Sequence, residues 1–121
     1  MINFEVDESK RLLVIRYHGL VRANETEKGL EQILNGLAKL QSGFRLLADL
    51  TELESMDVGC APFIEKAMDM CNEKGASMVV RIIPDPQRDI GLQIMSIFHY
   101  RGDVQIITCQ TLAEADEILR S

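Results

Sequence analysis

The chain has 121 residues, of which 46% are apolar and 26% charged, with 13 basic against 19 acidic side chains for a net charge of -6. That length supports one domain with a real core and is too short for two. The acidic balance and the lack of a basic patch argue against a nucleic-acid partner. No apolar run approaches the roughly 20 residues that a bilayer span needs. The start, Met1-Ile2-Asn3-Phe4-Glu5, lacks the basic-then-apolar order of an export signal, so a cytoplasmic protein is expected. Three cysteines, all at apolar-face or strand positions, then read as reduced thiols.

In chain order, Asn3 to Asp7 alternates, with Phe4 and Val6 against polar neighbours, the pattern of a half-buried edge strand. Glu8 to Lys10 turn the chain, and Leu12 to Tyr17 is its hairpin partner. His18 and Gly19 break that strand, with Leu20 and Val21 continuing it past a bulge. Asn24 with Glu27 has capping-box spacing, and Leu30, Ile33, Leu34, Leu37 and Leu40 recur at helical intervals up to a stop at Ser42 and Gly43. Gly29 and Gly36, seven apart, fall on one line of this helix and are read as tolerated surface glycines, with close packing as the alternative.

Phe44 to Leu50 is a mostly apolar run of strand length, followed by a short acidic loop, Thr51 to Asp57. Cys60, Phe63, Ile64, Ala67, Met68 and Cys71 then share one helical face, with Pro62 in the first turn and Gly75 as the stop. Ser77 to Ile83 reads as a buried strand closed by Pro84-Asp85-Pro86. Arg88 to Tyr100 reads as a strongly apolar helix, with Ile90, Ile94, Met95, Ile97 and Phe98 in register. Val104 to Cys109 is a last strand, and Thr111 with Glu114 repeats the capping-box spacing before a C-terminal helix. The order β-β-α-β-α-β-α-β-α predicts an α/β domain over residues 1–121, its mixed sheet of about five strands flanked by about four helices.

The unit from Phe44 to Gly75 resembles the switch region of STAS domains, named for sulfate transporters and anti-sigma factor antagonists. Those run strand, acidic loop, Asp-Ser-Ser-Gly, amphipathic helix. On that pattern Asp57 takes the Asp, Val58 and Gly59 the two Ser positions, and Cys60 the Gly. The family's phosphorylated residue is the second Ser, so the resemblance implies a STAS-like interaction module that is not phospho-regulated at the usual position. It further implies a regulatory protein partner, such as an anti-sigma factor or its kinase, engaged through Thr51, Ser55, Asp57, Val58, Gly59 and Cys60. Ser55 and Thr51 lie off the phosphoacceptor position, among carboxylates that would repel an added phosphate.

Three other readings compete. A bland one makes Asp57 only a helix cap, worth about 0.5 to 2 kcal/mol. A thiol-enzyme reading rests on Cys60 at a helix start, but Cys60 begins an apolar series, and the two histidines, His18 and His99, sit among apolar neighbours far from it in sequence. Two histidines and scattered cysteines give no zinc spacing, the acidic loop has no calcium-loop spacing, and no phosphate-binding glycine loop occurs, so no metal, cofactor or catalytic residue is expected. The runner-up is a small-molecule or lipid-binding protein using the sheet end or the apolar helix. The excess of apolar residues from Ile90 to Phe98 leaves a homodimer open as well.

Overall fold

The computed structural model describes residues 1–85 and 100–120. Strands β1 (Ile2–Asp7) and β2 (Leu12–Val21) form the expected antiparallel hairpin, with Phe4 opposite Ile15 and Val6 opposite Leu13. Helix α1 (Ala23–Leu37) follows, then β3 (Arg45–Met56), a 3-10 turn (Val58–Cys60) and helix α2 (Ala61–Lys74). β4 (Met78–Ile82), β5 (Gln105–Cys109) and helix α3 (Leu112–Arg120) complete the described chain. The sheet order is β1-β2-β3-β4-β5, with β2 to β5 mutually parallel, so the mixed five-stranded sheet is as the element order predicts. Apart from Tyr100, the helix expected from Arg88 to Tyr100 lies outside the described residues, and with it His99 and the apolar surface that raised a homodimer.

Alternation along the strands sends apolar side chains to both faces. Leu13, Ile15, Leu46 and Val79 meet Ile33, Leu37 and Cys71 of α1 and α2, with Phe44 fully buried among them. Leu12, Val14, Leu47, Val80 and Ile82 form the opposite layer, against which Ala115, Ile118 and Leu119 of α3 pack. The core is therefore a sandwich of helices around a central sheet.

Three expectations need correction. The helix predicted from Asn24 starts one residue earlier: Arg22 is the N-cap, without a side-chain cap bond, so the Asn24–Glu27 box does not form. The Thr111 box is realised in part, since the Glu114 amide donates to Thr111 Oγ1 at 3.2 Å. Gly29 and Gly36 are not surface glycines. Both are buried under β1, and an added Cβ would lie 2.8 Å from Phe4 Cζ at Gly29 and 3.0 Å from Val6 Cγ2 at Gly36. Missing side chains on that line let the helix settle on the strand, while Leu34 turns outward and is 60% exposed.

The third correction matters most for function. Thr51 to Met56 is not a loop: it continues β3 and pairs with the far end of β2, Glu52 opposite His18 and Met56 opposite Val21. The register slips twice along this pair, between Arg16 and His18 and between Gly19 and Leu20, and each slip fits one extra residue into β3. Gly19 sits at the second slip with φ of 60°, a conformation that suits glycine.

Candidate functional site

The two slips shape the corner where β3 hands over to α2. In a regular strand every second residue faces the same way. Here Leu50, Leu53 and Met56, three apart, all turn to one apolar cluster that holds Val21, Cys60, Ile64 and Ile83. The residues between them, Thr51, Glu52, Glu54 and Ser55, are exposed. The strand thus carries an acidic outer surface on an anchored inner one.

Asp57 leaves the strand in an extended conformation, with φ of -61° and ψ of 142°, and its amide donates to Val21 O at 3.0 Å. Its carbonyl accepts from the Cys60 amide at 3.0 Å, which closes the 3-10 turn. The carboxylate caps nothing, which removes the bland reading of Asp57 as a helix cap and leaves an exposed charge. Val58 next to it is 94% exposed, the most exposed of the large apolar side chains among the described residues. Gly59 has a packing reason of its own: a Cβ there would lie 3.3 Å from Ala23 Cβ at the start of α1.

Of the six residues that the sequence nominates, Thr51, Ser55, Asp57, Val58 and Gly59 lie at the surface of this one corner. Cys60 points the other way. It is fully buried, its Sγ lies 3.7 Å from Val21 O, and burial pushes its thiol pKa up, with the Asp57 charge adding to the shift. A raised pKa and no solvent access are the opposite of what an attacking thiolate needs. Thr51 is tied down too, donating from its hydroxyl to Asp49, whose Oδ1 also accepts from the Thr51 amide at 2.9 Å.

Two features escaped the sequence reading. His18 is not among apolar neighbours; it sits at the surface beside the same corner, its Nδ1 3.4 Å from Glu52 Oε2 and its Nε2 3.4 Å from Asn3 Nδ2. The approach of Glu52 depends on the slipped register, for which the sequence offers only Gly19 as a signal. The second feature is a cleft of about 330 Å³ between Leu50 to Met56 of β3 and the segment Ile83, Pro84, Asp85 that follows β4. Its two walls are 27 or more residues apart in sequence, and no local pattern announces it. Among the described residues no group of three or more His, Cys, Asp or Glu side chains is placed to hold a metal ion. No helix of the described residues is long and apolar enough to cross a membrane.

No protein-family model matches the chain, and no curated protein is detectably similar in sequence. Solved structures are similar in fold. An uncharacterized protein with a SpoIIAA-like fold from Shewanella loihica superposes with a TM-score of 0.73 at 17% identity, over 98% of this chain and 92% of that one. The anti-sigma factor antagonist SpoIIAA in its unphosphorylated form gives 0.69 at 15% identity, over 100% and 99%. An anti-sigma factor antagonist from Mycobacterium paratuberculosis gives 0.62 at 16%, over 100% and 96%. Identities of this size establish the fold alone: the chain has the SpoIIAA-like architecture that its STAS-like switch region implies.

Proposed function

We propose, from a fold shared with anti-sigma factor antagonists, that this chain is a non-enzymatic, single-domain interaction module of the cytoplasm. A regulatory protein such as an anti-sigma factor or a kinase related to one would be its partner. Docking takes place on Thr51, Ser55, Asp57, Val58 and Gly59, with Cys60 as the buried pin beneath them. The observation that carries this reading is Val58: an apolar side chain 94% exposed on a short turn, flanked by an uncapping carboxylate. Exposed single apolar residues are common, but this one stands where open parallel sheets habitually bind, beyond the carboxyl ends of their strands.

No phosphorylation at the usual position is part of the proposal, because Gly59 has no hydroxyl and a side chain there would crowd Ala23, its Cβ 3.3 Å from the Ala23 Cβ. Loss of the phosphoacceptor turns the corner from a switch into a constant docking face. The test is retention of a native partner on immobilised protein. Val58→Asp and Asp57→Arg should each release it, while Leu34→Asp, at a comparably exposed apolar position on α1, should keep it. Equal retention by all three would exclude this corner as the docking face.

A further inference from the structure

Regular sheet ends at Asp49, and the bent end of β3 begins there. Asp49 is the last residue of β3 in register with β4, opposite Ile82, and the last in register with β2 before the first slip, opposite Arg16. The next pair is His18 with Glu52, so two steps along β2 span three along β3. At this boundary the Asp49 side chain folds forward along its own strand. Its Oδ1 accepts from the Thr51 amide at 2.9 Å and from the Thr51 hydroxyl, and its Oδ2 lies 3.8 Å from Arg16 Nε. A carboxylate bonded to the amide two residues on makes an Asx turn, which bends a chain that would otherwise run straight.

We propose, on the reading above that this corner docks a protein, that Asp49 is a positioning residue for it, acting through Thr51 to set the first slip of the register. Alternate residues of a strand point the same way, and a shift of one residue turns every side chain beyond it to the other face. Without the first slip, Glu52 would share the inner face with Leu50, and Leu53 would turn to water. The second slip, kept alone, would then send Ser55 inward and Met56 outward. With both in place Leu53 and Met56 join Leu50 in the apolar cluster, while Glu52 and Ser55 are exposed. The Asp57 amide then meets Val21 O, and Val58 emerges at the surface beyond it.

A carboxylate suits this task. Asp49 is buried, and a buried carboxylate is tolerated only where donors meet it, so the folded chain keeps the turn that supplies them. Straightening the strand would draw the Thr51 amide away from Oδ1. That would leave the charge with Arg16 Nε at 3.8 Å, on a guanidinium whose Nη1 is already held by Glu5 Oε2 at 2.8 Å. Thr51 accordingly serves docking as the joint beneath the corner, its hydroxyl engaged by Asp49.

The experiment uses the isotope-labelled full chain. Asp49→Ala should speed hydrogen exchange of the Thr51 amide about tenfold or more, the loss of one charge-assisted bond. It should also move the His18–Glu52 cross-strand contacts and the amide resonances of residues 51–59. Asp49→Asn keeps an acceptor at Oδ1 and should return all three readings to wild-type values. Thr51→Val, which removes the hydroxyl bond alone, should fall between the two and replaces Asp49→Ala if that variant does not fold. Retention of a native partner on immobilised protein should follow the same order. Gly75→Ala, a strained change at the opposite end of the strands, should destabilise the chain and keep the partner. Unchanged Thr51 exchange in Asp49→Ala, an Asp49→Asn protein altered as much as Asp49→Ala, or equal retention by Asp49→Ala and Gly75→Ala overturns the proposal. If Asp57→Arg and Val58→Asp release the partner while Asp49→Ala keeps it, docking at the corner stands and the positioning role alone falls. If none of the three releases it, the docking reading itself falls and takes the positioning role with it.

Discussion

The two ends of the parallel strands are built on opposite plans. At the end where β2, β3, β4 and β5 begin, the connecting segments are laced together. The Gly43 amide donates to Gly75 O at 2.7 Å, the Arg45 amide to Arg11 O at 2.8 Å and the Ser77 amide to Phe44 O at 2.8 Å. Arg11 Nη2 donates to Ser42 O and Arg45 Nη1 to Leu119 O, each at 2.6 Å, so two arginine side chains finish main-chain carbonyls at this end. Phe44 plugs this end, fully buried. At the opposite end β3 overshoots β4, the ladder slips twice, and carboxylates and Val58 face water. One end satisfies its polar groups internally and fixes the fold; the other presents carboxylates and an apolar side chain to solvent. Binding surfaces carried on a rigid scaffold take this form.

The largest effect expected from breaking the closed end is at Gly75, the C-cap of α2, with φ of 102° and ψ of 40°. A Cβ there would collide with Ser42 Oγ, lie 3.0 Å from Ser42 Cβ and 3.3 Å from its backbone Cα. The left-handed conformation alone costs a non-glycine residue about 1 to 2 kcal/mol, and the contact with Ser42 adds to it. Gly75→Ala should therefore lower unfolding stability by about 2 to 4 kcal/mol, read as a lower urea midpoint at unchanged m-value. A loss under about 0.5 kcal/mol would mean that this end is not the rigid one.

A second, smaller effect separates the two cysteines of the α2 segment, one near each end. Burial pushes the Cys71 thiol up to about 12, against an ordinary value of 9.0. In the unfolded chain that thiol loses its proton from about pH 9, while the folded chain holds it. The folded state binds the extra proton, so the stabilisation is complete below pH 9 and is lost as pH rises through 9 toward 12. Its steepest contribution is about 1.4 kcal/mol per pH unit. Tyr17 and Tyr100 are raised by burial as well, from a higher starting value, so their losses begin nearer pH 10. Cys71→Ala should thus be less stable at neutral pH yet fall off more gently between pH 9 and 10 than the wild type. Parallel curves through that window would contradict the burial of this thiol.

The closed end and the core were legible in the sequence because they follow simple periods. Phe44 to Leu50 reads as a strand, Gly75 as a stop, and the alternation of Asn3 to Asp7 gives β1. The open end was misread because the bulges space Leu50, Leu53 and Met56 by three, which matches no strand period and left Thr51 to Asp57 looking like a loop. Asn24 with Glu27 and Thr111 with Glu114 are equivalent as text, yet only Thr111 caps. β2 delivers the chain so that the helix starts at Ala23, and Asn24 is already inside the first turn. Gly29 and Gly36 show the same limit: their alignment is visible in sequence, but whether that line faces water or β1 is decided by the tertiary packing.

The smallest expected effect on stability sharpens the comparison from the other side. Val58 makes no buried contact to lose, being 94% exposed, and the turn it occupies is closed by the Asp57 carbonyl and the Cys60 amide rather than by its side chain. Val58→Asp should therefore change unfolding stability by no more than about 0.5 kcal/mol, the range of surface substitutions that touch no special feature. The same change abolishes partner retention if the docking proposal holds, since it places a charge where an apolar anchor would be desolvated. Folding and function thus separate along the sheet: a substitution at Gly75 should damage the fold, and one at Val58 should damage only what the fold presents. A Val58→Asp protein destabilised as much as Gly75→Ala would show that this corner is a structural joint, and the two ends would no longer differ in kind.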